Sequence, residues 1–134
     1  MQAQCAHEIL ELHHFIESWL LGAVEQTREQ FVRFEGAMAE DFEIIHPNGN
    51  VQPKAAICNS FWGAYGVQNP PFTVRIKNIQ CRVVSKPYCL LTYEEWQTGE
   101  RETARLSTVL FRQVPNQDRV EWVHLHETWL PIDS

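Results

Sequence analysis

The sequence predicts an α+β domain in which two or three N-terminal helices pack into the hollow of a curved antiparallel sheet. Three observations predict it. Helical periodicity is confined to the first half of the chain, Asn69-Pro70-Pro71 interrupts it, and four β-like segments follow with short connections. Helices first and strands after make an α+β fold, whereas alternation would make α/β.

From about residue 4 to 23, Ile9, Leu12, Ile16, Trp19 and Leu20 recur at helical spacing, while His7, Glu11, His14 and Ser18 take the polar side. Gly22 sits near the end of this helix. Thr27 is placed to cap a second helix, with Phe31, Phe34 and Met38 as its apolar stripe. Residues 41–46, with β-branched Ile44 and Ile45, read as a short strand, and Pro47-Asn48-Gly49-Asn50 as a turn. Pro53 can open a third helix that carries Ile57 and Phe61 on one side and ends at Gly66. The long strands cover residues 72–85, 88–97, 104–114 and 119–130. Their links, Lys86-Pro87, Thr98-Gly99-Glu100 and Pro115-Asn116-Gln117-Asp118, are turn-like, so a meander is expected.

Composition bounds the partners. The 134 residues, 44% hydrophobic and 21% charged, fit one globular domain spanning residues 1–134. The net charge is −6 and the eleven basic residues are scattered, which argues against nucleic acid and against an acidic membrane surface. No basic leader segment opens the chain, and the apolar stretch 15–24 contains Glu17 and is too short to span a bilayer. Cys5, Cys58, Cys81 and Cys89 form no Cys-x-x-Cys pair, so free thiols in a reducing cytoplasm are expected. A turn at Lys86-Pro87 places Cys81 opposite about Thr92, not Cys89, and no disulfide is expected there.

The segment Asp41-Phe42-Glu43-Ile44-Ile45-His46-Pro47-Asn48-Gly49, set between two helices and a third helix plus meander, resembles the nuclear transport factor 2-like superfamily. That group includes ketosteroid isomerase-like and SnoaL-like proteins. The ending Trp122-Val123-His124-Leu125-His126-Glu127-Thr128 is similar to that of many small members and of the calcium/calmodulin-dependent protein kinase II association domain. Arg105-Leu106-Ser107-Thr108-Val109 with Arg112 fits the penultimate strand of those proteins. The resemblance covers nearly the whole chain. It implies a cone-shaped, cystatin-like α+β barrel, a cavity between helices and sheet, and a homodimer through the outer face of the sheet. It does not imply one activity, because this fold hosts isomerases, dehydratases, carriers and assembly modules.

Strand alternation assigns the faces. Cys89, Leu91, Tyr93 and Glu95 share one face, which superposition on the association domain's pattern turns toward the cavity. Trp122, His124, His126 and Thr128 share one face of the last strand, and Val123, Leu125, Glu127 and Trp129 the other. The expected pocket lining is His46, Trp62, Tyr93, Thr108 and His124, with Glu95 and His126 as the acid–base pair. A desolvated carboxylate beside a histidine suits isomerisation, dehydration or cyclisation. The alternative is that Glu95 pairs with an arginine such as Arg105 and that the histidines are satisfied core groups. His124-x-His126 with His46 could suggest a metal site, but no carboxylate is evidently placed with them and no metal is expected. No glycine-rich phosphate loop and no Gly-x-Ser-x-Gly elbow occur, and no cofactor is expected. Isomerases and dehydratases of the superfamily carry a cavity aspartate, but Asp41, Asp118 and Asp133 occupy no inward strand position here. Three readings stand: binding of an unidentified small molecule, acid–base catalysis, and assembly through Trp96 and Trp129.

Overall fold

A computed structural model describes residues 1–132. Its elements are α1 (Gln2–Leu20), α2 (Arg28–Glu35), β1 (Met38–Ile45), β2 (Val51–Pro53), α3 (Lys54–Gly63), β3 (Thr73–Ser85), β4 (Tyr88–Thr98), β5 (Thr103–Gln113) and β6 (Val120–Leu130). The six strands make one open, curved sheet in the order β2-β1-β6-β5-β4-β3, with the helices packed in its hollow. The meander β3 to β6 is antiparallel throughout. One ladder departs from the purely antiparallel expectation: β1 runs parallel to β6. The chain reaches β1 before the meander and closes back on it with its last strand.

The helices hold together through side chains at the predicted spacing. Cys5, Ile9, Leu12, Phe15 and Trp19 of α1 are buried. Trp19 packs against Phe31, Phe61, Trp62 and Tyr65, and its indole N–H donates to the Phe61 carbonyl at 2.8 Å. The Thr27 side chain caps α2 by accepting from the Gln30 N–H at 3.2 Å. Met38, expected on that helix, instead opens β1. Gly22 ends the α1 turn at φ +66°, where a Cβ would lie 3.4 Å from the Gly66 Cα. Glu8 ties three elements, accepting from Arg33 of α2 and from the Trp122 indole of β6, each at 2.9 Å.

Two irregularities decide which side chains face inward. On β6, Trp122 pairs with Phe111 but His124 pairs with Leu110, so Val123 is an extra residue, a β-bulge. The bulge shifts the alternation by one. Trp122, Leu125 and Glu127 all point at the helices and are buried, whereas the run His124, His126 turns to the convex face. On β3, bulges near Asn78 and Arg82 put Cys81 opposite Leu91, one residue from the expected Thr92. The Cys81 and Cys89 sulfurs lie 3.7 Å apart, and all four thiols are free.

Candidate functional site

The helices do not fill the hollow. A partly open cavity of about 200 Å³ remains between α1, α3 and the sheet. Leu12, Ile16 and Leu20 of α1, Phe34 of α2, Ile57 and Phe61 of α3, and Met38, Phe42 and Ile44 of β1 form its apolar lining. One wall is different. His13, His46, Glu95, Gln97, Arg105 and Glu127 converge there from α1, the end of β1, and β4, β5 and β6.

Register explains the convergence. Glu95, Arg105 and Trp129 are successive cross-strand partners, and so are Tyr93, Ser107 and Glu127. Two rows of inward side chains therefore cross the sheet beneath α1. His13 reaches down from α1 onto them.

His13 and Glu95 form a buried pair, with 3.1 Å between the imidazole Nε2 and a carboxylate oxygen. The Nδ1 of His13 faces the Ile9 carbonyl at 2.7 Å, and a carbonyl can only accept. Both ring nitrogens thus meet acceptors, which suits an imidazolium. Burial by itself would lower the His13 pKa, but the Glu95 charge and hydrogen bond outweigh it and raise the value. Burial would likewise raise Glu95. His13, Arg105 and the Gln97 amide, which donates at 2.7 Å, hold that carboxylate down at about 2.

Glu127 is different. Burial and the nearby Glu95 charge push its pKa up, against the pull of Arg105 and His46. Arg105 Nη1 donates to it at 3.3 Å and His46 Nδ1 lies at 4.0 Å. The His46 Nε2 is 2.7 Å from the Gln52 side-chain oxygen, which leaves Nδ1 as the nitrogen facing Glu127. Burial and charge thus move the two carboxylates of one wall in opposite directions, Glu95 down and Glu127 up. Deeper in, the Tyr93 and Ser107 hydroxyls and the Arg105 Nε are closed off from solvent without a hydrogen-bond partner among the described residues.

The sequence-predicted residues divide. Glu95 and His46 line the cavity. Tyr93 is fully buried behind the wall, 5.3 Å from the His13 ring, and does not line it. Thr108, His124 and His126 do not line it, because the β6 bulge and the β5 alternation turn them outward. His126 is exposed and does not meet Glu95. Trp62 lies one helical step past Phe61, among the helices, with Arg28 3.8 Å above its ring. Sequence reading missed His13 and Glu127 as wall residues. His13 carried a signal, since it sits inside the apolar stripe of Ile9, Leu12 and Ile16. Among the described residues no three His, Cys, Asp or Glu side chains converge as a metal site.

Fold and cavity define a nuclear transport factor 2-like protein, a class whose solved members include ketosteroid isomerase-like, scytalone dehydratase-like and kinase association domain-like proteins. Within it, the chain belongs to the sucrose-6-phosphate phosphohydrolase C-terminal family, whose pattern matches residues 5–131. It is similar to the probable sucrose-phosphatase 3a of Arabidopsis thaliana, 24% identical over 131 residues and 96% of this chain. The chain spans only 31% of that relative's length. Among solved structures, it is similar to an NTF-2-like protein of unknown function from Pseudomonas aeruginosa. That match has a TM-score of 0.88 and 26% identity, covering 96% of this chain and 99% of the other. An NTF2-like protein of unknown function in nutrient uptake from Rhodospirillum rubrum matches at TM-score 0.72 and 13% identity, covering 94% and 98%. No helix among the described residues is long and apolar enough to cross a membrane.

Proposed function

We propose that this chain binds a small, mainly apolar molecule in the cavity between helices and sheet, with an oxygen-bearing end against the polar wall. One observation carries this reading: an apolar hollow of about 200 Å³ with six polar side chains gathered on a single wall. Six methylenes at about 0.8 kcal/mol each supply about 5 kcal/mol, near a Kd of about 0.2 mM before association costs. The test is thermal. Hexan-1-ol should raise the Tm of the wild type and leave Ile57→Trp, which fills the cavity, unmoved. Equal shifts in both would sink the reading.

A second reading, acid–base chemistry on such a ligand, is favoured by Glu127, whose raised pKa suits proton transfer with His46 beside it. Glu95, locked to His13, suits a fixed charge better than a mobile proton. Homodimerisation through the convex face is also proposed, supported by exposed Leu106 beside half-buried Trp96. Trp129 leaves that face, because it follows Glu127 in the shifted alternation and lies over Arg105.

A further inference from the structure

An outer pocket of about 400 Å³ adjoins the cavity, lined by His46, Pro47, Asn48, Asn50, Arg105 and Trp129. Arg105 and His46 line both spaces and form the partition. Arg105 faces both ways. Its Nη1 reaches Glu127 at 3.3 Å, while its guanidinium lies 4.8 Å from the centre of the Trp129 ring. Trp129 is nonetheless 51% exposed, so indole surface remains open beside the guanidinium. Asn48 and Asn50 are exposed on the β1–β2 turn at the same pocket.

The charges of the inner wall are already matched. His13 stands against Glu95 and Arg105 against Glu127. An ionic group entering there would lose its water without gaining a free counter-charge. A hydroxyl or ether oxygen carries no charge and meets a smaller cost. Outside, an open indole surface flanked by two amides and a guanidinium matches a head with a C–H face and a hydroxyl edge.

We propose that the site takes a neutral two-part molecule: a short apolar tail in the inner cavity and a polyhydroxylated, sugar-like head in the outer pocket on Trp129, Asn48, Asn50 and Arg105. This rests on the inner cavity being a ligand site. The head is read by the partition and the turn, the tail by α1, β1 and α3.

The experiment is calorimetric titration of four probes with six-carbon chains, hexan-1-ol, hexanoate, hexylammonium and hexyl β-glucoside, into the wild type and Trp129→Ala. The glucoside should bind about ten-fold tighter than hexanol, the gain of one or two net hydrogen bonds plus stacking. Both ions should bind at least about ten-fold weaker than hexanol. Trp129→Ala should reduce the glucoside to the hexanol level and leave hexanol unchanged. Asn50→Ala, on an exposed turn, should weaken the glucoside alone, which separates recognition from any folding defect. Equal binding of glucoside and hexanol, an ion as the tightest probe, or a glucoside indifferent to both variants would overturn the two-part site. If hexanol itself fails to bind, the inner-cavity reading falls as well.

Discussion

His13 and Glu95 show how two residues set the character of the wall. Each would be costly alone in the interior, and each is made stable by the other. Replacing His13 with Leu strands a buried carboxylate and should cost roughly 3–5 kcal/mol, read from urea unfolding. The double variant His13→Leu/Glu95→Leu removes both charges and should recover most of that loss. A double variant no more stable than the single would refute the pairing. The pH dependence follows from the shifts. Glu95 has a depressed folded pKa, so its contribution is full above its ordinary value near 4.5 and is lost as pH falls toward about 2. His13 has a raised folded pKa, so its contribution is full below its ordinary 6.5 and is lost as pH rises through the elevated value. Stability should therefore decline on the alkaline side, and the double variant should lose the part of that decline that His13 contributes. Glu127 is raised, so its own contribution also fades with rising pH from about 4.5, which starts the decline earlier. Glu95 was legible as an inward position because strand alternation groups it with Cys89, Leu91 and Tyr93, and the resemblance to the association domain turns that face toward the cavity. His13 was legible only as a histidine inside an apolar stripe, and its partner lies 82 residues away.

At the scale of elements, α1, α2, α3 and the meander follow directly from periodicity and turn chemistry. Thr27 capping α2 is the clearest case. What failed was the facing of β6. A bulge at Val123 leaves no mark in the local pattern, since valine is an ordinary strand residue and both faces of β6 are mixed. One inserted residue exchanges His124 and His126 for Leu125 and Glu127 at the wall, and so replaces the expected His126 by Glu127. β2 is three residues long and the parallel β1–β6 ladder joins distant segments, so neither had a periodic signal. Gly22 gives a test at this scale. Its φ of +66° and its approach to Gly66 leave little room for a side chain, and Gly22→Ala should cost about 1–2 kcal/mol in urea unfolding. A neutral effect would mean that the α1 turn is not held by this contact.

The whole molecule is a scaffold in which the sheet supplies rows of inward polar groups and the helices supply the apolar cover. Order of elements was enough to predict that architecture; the content of the cavity wall was not, because it depends on register across four strands. If the convex face carries a homodimer, Leu106→Glu should convert dimer to monomer in analytical ultracentrifugation without lowering the Tm of the monomer. A wild type that sediments as a monomer at high concentration would exclude that contact. The central claim is that the space under α1 admits a small molecule. Methyl NMR during titration with hexan-1-ol tests it most directly. The account predicts shifts and intermolecular contacts at methyl-bearing residues of the cavity, among them Leu12, Ile16, Ile44 and Ile57. Perturbation confined to exposed methyls such as Val83 and Val84, with the interior silent, would contradict it.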